Sequence, residues 1–356
     1  MNQKADLARA ILENIPWKTT SNPIWPFTLF ILRRNLAKYH FPSKMNEAEA
    51  AAVLDSLKNV ISNLPEMANG YLLKKQDLKP LDKELLLEHF LFTRLLPESA
   101  HGSALLLNPS VAVLSTINMG NHLELFHILD STGDLDSGWN LISKIENTLG
   151  SHFDFAFSSK FGFLTSDPND CGTGLSVLAF LHLPALIQTG QLQEIWAKQN
   201  DESLIFTGIS GDPNDLIGDM IVLQNHFTLG VTEESIIRSI QTMASKLVAS
   251  EKKARSTLKK EAPPKIKDKI SKAYGQLIYA YELEVKETLN LLSLIRLGLD
   301  LGWITAVQEN KINELFFKTR RGYLTHLFPG TEDLKEIAHK RAEYLHSELQ
   351  GIQLAI

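Results

Sequence analysis

Apolar residues along this chain recur with two different periods, and the changes between them divide it. Residues 1–22 hold one short amphipathic turn, with Leu7, Ile11 and Leu12 on one side. EAEAAAVLDSLKNVIS (47–62) spaces its apolar positions by three and four, which predicts a helix, and 81–96 reads as another. From His101 to Glu124 the pattern changes to short aliphatic and β-branched runs, SALLLNP and SVAVLSTINM, broken at Asn108-Pro109; these read as two strands and a turn. Helical spacing returns over 135–149. FDFAF (153–157) then alternates like a half-buried strand, and TSDPNDCGTG is dense in turn formers. LSVLAFLHLPALIQTG reads as a buried helix, while SLIFTGIS and DMIVLQNHFTLG read as strands flanking a Gly-Asp-Pro-Asn-Asp turn.

From Glu233 the helical period takes over. Thr232 is the expected N-cap, with Ser235 where a capping box prefers Glu, and Ala262-Pro263-Pro264 breaks the helix. Further helices are expected over 266–302 and in the tail, whose Leu327, Leu334, Ile337, Tyr344 and Leu345 keep apolar spacing. Strands joined by short turns imply an α+β fold with a mostly antiparallel sheet, followed by a helical region. The expected division is an N-terminal extension (1–22), an α+β domain (23–245), a charged helical linker (246–268) and a helical C-terminal domain (269–356). The lysine-rich stretch 252–272 reads as a solvated helix face or a docking patch.

Composition narrows the function classes only modestly. The chain has 356 residues, 44% hydrophobic and 22% charged, with a formal net charge of -5 and a pI near 6.1. Nothing in that balance favours nucleic acid or an anionic membrane. The single cysteine, Cys171, excludes an internal disulfide and a multi-cysteine zinc site, and suits a reducing compartment. The N-terminus lacks the apolar core of a secretory signal. The most apolar run, Leu175–Ile187, is shorter than the ~18 residues of a membrane span and is interrupted by His182 and Pro184, so a cytoplasmic protein is expected.

Several stretches resemble a family. CGTGLSVLAFLHLPALIQTGQL, FDFAFSSKFGFLTSDPND, NHFTLGVTEESII, EKKARSTLKKE with LLSLIRLGLDLGWI, and RRNLAKYHFP resemble, in order, segments of the guanidino kinases, specifically the bacterial protein arginine kinases (McsB type). The matches extend from about Trp25 to Leu349. The resemblance implies the guanidino-kinase fold, a phosphotransfer from Mg-ATP to arginine, a dimer, and association with an adaptor, a stress repressor and a Clp-type protease chaperone.

Such a reaction needs cations around the phosphates and carboxylates that orient the guanidinium and take its proton. Set against the family's S-S-R-x-R-L-A-R-N-L, the stretch FTLFILRRNL has Leu29 and Ile31 in place of two arginines. Arg34 is retained, with Arg33 as an extra neighbour. The family's N-E-E-D-H is Asn118-Met119-Gly120-Asn121-His122 here, so Met119 and Gly120 stand for the glutamates, and Glu124 replaces an arginine. Asp167 occupies the family's cysteine position, Ser176 and Thr207 replace two further arginines, and Asp212 aligns with the second catalytic glutamate. Ile337 and Ala338 stand where the family carries an Arg-Asp pair that recognises phosphoarginine.

At about 1.5–3 kcal/mol per charged hydrogen bond, four missing arginines amount to roughly 6–12 kcal/mol if additive, enough to abolish micromolar nucleotide binding. The leading expectation is therefore a pseudokinase working through protein–protein contacts, as a homodimer without cofactor or metal. One alternative is an active, divergent kinase using Arg33, Arg34, Asp167 and Asp212 with Mg-ATP. Another is a module that senses a guanidinium or phosphoarginine through Asp167 and Asp212. Plainer roles stand beside these: the Gly-Thr-Gly loop as a phosphate cradle at a helix start or a structural turn, His122 and His182 as core histidines or as a base or ligand, Cys171 as packing, Arg33 and Arg34 as a solvated pair, and Arg320-Arg321 as a contact surface.

Overall fold

The computed structural model describes residues 3–18, 22–91, 102–130, 134–199, 202–331 and 333–356. Helix α1 (Gln3–Glu13) precedes β1 (Phe27–Arg34), α2 (Glu47–Ile61), β2 (Tyr71–Lys74), α3 (Pro80–Glu88), β3 (Ala104–Leu107), β4 (Val113–Ile117), β5 (Leu123–Asp130) and α4 (Leu135–Gly150). A small hairpin, β6 (Phe157–Ser158) and β7 (Gly162–Phe163), leads to β8 (Leu175–His182), α5 (Pro184–Gln188), α6 (Gln191–Ala197), β9 (Leu204–Gly208) and β10 (Met220–Asn225). The remainder is helical apart from a short closing ladder: α7 (Glu233–Glu261), α8 (Pro264–Tyr279), α9 (Val285–Leu301), α10 (Glu309–Lys318), α11 (Arg321–Leu327) and α12 (Leu334–Glu348).

Eight strands form one sheet in the order β2-β3-β4-β5-β1-β8-β10-β9, and every neighbouring pair is antiparallel. Central β1 is paired on both edges and covered on both faces, so all eight of its residues are buried. Side-chain alternation sorts them: Phe30 and Leu32 join the core beneath α2, α4 and α7, while Phe27, Leu29 and Ile31 join a second core with residues of α1, α3, α10 and α11.

The expected helix over LSVLAFLHLPALIQTG is corrected by the structure. Leu175–His182 is strand β8, and only Pro184–Gln188 is helical. A strand buried on both faces loses its alternation and reads as one apolar run, which periodicity cannot distinguish from a buried helix. FDFAF forms only a bridge from Phe155 to Leu36 and the start of the β6–β7 hairpin. The helix expected over 81–96 ends at Glu88, with 92–96 outside the described residues.

Helix α7 begins as its sequence dictates: Thr232 accepts from the Ser235 backbone N–H, and the Ser235 hydroxyl stands in the reciprocal capping position. The helix continues unbroken through residues 245 and 246 to Glu261, burying Leu247, Val248, Ala254 and Leu258, and stops where Ala262 turns left-handed ahead of the prolines. Buried charges join it to its surroundings. Glu251 accepts from the backbone N–H groups of Ala185 (3.0 Å) and Leu186 (2.9 Å) at the start of α5, and pairs with Arg255 at 2.7 Å. Arg255 reaches Asp300 of α9, which also holds Arg296 at 2.6 Å.

Candidate functional site

A cavity of about 640 Å³ opens on the sheet face that carries Ile31, Ser176, Leu178, Phe180, Thr207 and Val222. Three of the five positions in this region expected to have lost an arginine (Ile31, Ser176, Thr207) therefore line one space. Leu29 shares their face but is fully buried in the core beside it.

Strand parity settles the two arginines of β1. Arg33 points to the cavity and lies opposite Glu124 in register. Its Nη1 donates to the Ser176 hydroxyl at 2.8 Å, and its Nε lies 3.3 Å from Asp170 and 3.7 Å from Glu124. Arg34 points to the opposite face. Its Nε and Nη2 meet Glu146 of α4 at 2.7 and 2.6 Å, and Nη1 donates to the carbonyls of Arg33 (2.7 Å) and Thr173 (2.8 Å). The guanidinium stacks 3.5 Å over Phe163. Burial lowers its pKa, against the pull of Glu146. The two are thus buried, not a solvated pair. Arg34 is a clamp between sheet, helix and loop.

The expected acidic residues are not brought into the cavity. Asp212 is exposed at the β9–β10 turn, its carboxylate accepting from the Asn214 backbone N–H at 2.8 Å. Asp167 caps a single turn of 3₁₀ helix, accepting from the Asn169 N–H at 3.0 Å. Asp170, which lines the cavity, and Glu124 flank Arg33. Met119 is buried in the core and Gly120 is exposed, in the β4–β5 turn.

The same turn is fixed by a buried amide network. Asn35 donates to Asn121 at 2.8 Å and accepts from the His122 N–H at 2.8 Å; Asn121 also accepts from the Ser166 N–H at 2.8 Å and donates to Glu124 at 3.1 Å. His122 accepts from the Leu36 N–H on Nδ1 (2.9 Å), so its proton sits on Nε2, which donates to the His40 carbonyl at 2.8 Å. Burial holds it below the ordinary histidine range, neutral and structural.

His182 is likewise a core histidine, linked through the Ser293 hydroxyl (2.8 Å) to Asp219, which accepts from that hydroxyl at 2.6 Å. Burial depresses His182 far below its ordinary pKa and raises Asp219 to about 6. Cys171 is half-buried, its sulfur 3.4 Å from the Thr165 hydroxyl.

The Gly-Thr-Gly segment precedes a strand, so no helix start is available for a phosphate. It is a structural turn: Gly172 exchanges two backbone hydrogen bonds with Phe163, and Thr173 N–H donates to the Thr228 carbonyl at 2.9 Å. At φ +110°, a Cβ on Gly172 would stand 2.1 Å from that carbonyl oxygen.

The far end of the cavity comes from residues distant in sequence. Arg320, expected on a contact surface, is buried there. Its Nη1 donates to the Glu88 carbonyl at 2.6 Å, and the guanidinium lies 4.8–5.3 Å from the ring centres of Phe90, Phe316 and Phe317. Glu88 accepts from the Gly322 N–H at 2.9 Å, and burial raises its pKa to about 7. No spacing in the sequence links positions 88 and 320. In the tail, Ile337 and Ala338 are both 1% exposed and face the core. Among the described residues, no group of three metal-ligating side chains gathers, and no helix is long and apolar enough to cross a membrane.

The sheet is antiparallel with helices on both faces, and the cavity lies over β1, β8, β9 and β10. The similarity to solved structures agrees on fold. The duplicated taurocyamine kinase of Schistosoma mansoni superposes with a TM-score of 0.57 at 21% identity, covering 68% of this chain and 35% of that one. The chain thus spans about a third of that duplicated enzyme. A lombricine kinase gives 0.55 at 16% identity, covering 68% and 70%.

Residues 52–254 match the ATP:guanido phosphotransferase C-terminal catalytic domain, and 263–355 match the protein-arginine kinase McsB C-terminal domain. Protein-arginine kinases of Chlamydia pneumoniae and Bacillus subtilis (strain 168) are 34% and 30% identical over 340 and 328 residues, covering 93% and 90% of this chain and 93% and 89% of theirs. The chain belongs to the protein-arginine kinase family of guanidino kinases.

Proposed function

We propose that this family member is a pseudokinase: it keeps the fold, does not bind Mg-ATP productively, and acts through contacts with other proteins, as a homodimer in the cytoplasm. The observation that carries this is the cavity wall. Ile31, Ser176 and Thr207 offer no cation, and Arg33, the cation at that end, is engaged by Asp170 and Glu124. A triphosphate needs several donors aimed at it, and two carboxylates beside the Arg33 guanidinium oppose its charge. The residues present do not fit a triphosphate. Candidate protein partners are those the family resemblance implies, an adaptor or a Clp-type protease component.

A second reading, an active kinase with rearranged roles, is favoured by the relatives, which are named protein-arginine kinases over nearly their whole length. Calorimetric titration with Mg-ATP separates the two. No heat of binding up to ~1 mM, about -4 kcal/mol, is expected of the pseudokinase. Micromolar binding, with arginine phosphorylation that drops in Asp212→Ala, establishes the kinase and overturns the proposal.

A further inference from the structure

The cavity holds unused hydrogen-bonding capacity at the end away from Arg33. Arg320 is 6% exposed and spends Nη1 on the Glu88 carbonyl. Its Nε and Nη2, the adjacent pair that forms the side-on fork of a guanidinium, meet no acceptor among the described residues. Beside it, Glu88 uses Oε1 on Gly322 while Oε2 has no partner among the described residues. Burial raises the pKa of Glu88 to about 7, so it carries less than a full negative charge beside Arg320 at neutral pH. Buried donors without acceptors carry the full desolvation cost of a polar group, so an oxyanion placed among them gains strongly.

Between the two ends part of the wall is apolar, beside polar Thr207, Ser210, Gln224, Asn225, His226 and Thr228. Leu87, Phe90, Leu178, Phe180, Ile209 and Val222 form the apolar part. The distance from Phe180 to Ser176 along β8 is four residues, about 13 Å of cavity floor at the usual strand rise. Phe90 packs on Phe180 with ring centres 4.8 Å apart and lies 4.8 Å from the Arg320 guanidinium, so the donors sit at the Phe180 end and the Arg33 cluster at the Ser176 end. A guanidinium with Nε and Nη2 open among the described residues at one end, a partly apolar floor and a carboxylate-flanked arginine at the other do not suit a polyanion. They suit a single negative charge on an apolar body.

We propose that this cavity is a binding site for a small organic acid, with its carboxylate held side-on by Nε and Nη2 of Arg320 beside Glu88 and its hydrocarbon portion lying along Leu178, Phe180 and Val222. The inference rests on the reading of this space as one that no longer takes a triphosphate. It also gives the C-terminal helices a part in the site, since Arg320 immediately precedes α11.

The test is calorimetric titration of the full-length protein with octanoate, with 1-octanol, octylamine and Mg-ATP as parallel probes. Saturable binding of octanoate, at least tenfold tighter than 1-octanol or octylamine, is expected. Arg320→Gln should weaken octanoate at least tenfold, as removal of a charged two-point contact implies. Because Arg320 also stacks on three rings, Thr207→Trp serves as a second variant. It fills the cavity from β9, leaves the guanidinium untouched, and should abolish binding with the folded state retained. Absence of octanoate binding, equal binding of octanol, or unaltered binding in Thr207→Trp overturns the site. Mg-ATP binding overturns the pseudokinase reading, and if octanoate displaces no ATP the two failures are told apart.

Discussion

Arg34 offers a sharp test of the strand parity that governs this site, because the family resemblance marks it as the retained arginine of the phosphate motif while the structure makes it a structural clamp. Replacement by alanine removes the ion pair with Glu146, two bonds to the carbonyls of Arg33 and Thr173, and the stack on Phe163. It leaves Glu146, whose side chain is 14% exposed, without its cation. Breaking a buried pair costs about 3–5 kcal/mol, and a desolvated cation–π contact adds ~1–2 kcal/mol, not fully additively. A loss of roughly 4 kcal/mol is expected, a large fraction of a typical 5–15 kcal/mol stability. Urea denaturation of wild type, Arg34→Ala, Glu146→Ala and the double variant measures it, and the cycle should show coupling above about 1 kcal/mol. A loss below about 1 kcal/mol in Arg34→Ala, with no coupling to Glu146, would refute the clamp.

Two further outcomes follow from local geometry. Gly172→Ala should destabilise by more than about 2 kcal/mol in urea, since the new Cβ would meet the Thr228 carbonyl at a left-handed φ; a near-neutral result would mean the turn is free to move. Glu88 has its pKa raised by burial from the ordinary 4.5 to about 7, so the stability it contributes is full below about 4.5 and is lost as pH rises through 7. Glu88→Gln should therefore be more stable than wild type at pH 8, by at most about 3 kcal/mol, and should flatten the fall in urea midpoint between pH 5 and 8; an unchanged slope contradicts it.

Much of this was legible in the chain. The start of α7 follows from Thr232 and Ser235, and its end from Ala262-Pro263-Pro264, because capping and proline chemistry are local. Ile31, Ser176 and Thr207, read from motif register as replaced arginine positions, line one cavity. Strand β8 was misread because burial on both faces erases alternation. The solvated pair, one of the alternatives for Arg33 and Arg34, gives way to two buried side chains on opposite faces of the strand. Asp170 outranks Asp167 at the site because a single 3₁₀ turn redirects the loop, which composition does not reveal. The Glu88–Arg320 end depends on α3 and α11 meeting across more than two hundred residues, and only folding brings them together.

Glu251, at the middle of α7, draws its counter-charge from its own helix and its hydrogen-bond donors from the start of α5. One turn further along, Arg255 takes its second carboxylate, Asp300, from a helix that lies beyond the proline break. A fragment ending at Ala262 would contain every residue of the eight-stranded sheet and still lack the second carboxylate of a buried cation. A fragment beginning at Pro263 would hold Asp300 and Arg296 with no Arg255 to share them. The two family regions meet in this chain like halves of a tongue-and-groove joint, so that ribosomal synthesis must pass residue 300 before the first region has its full set of internal charges.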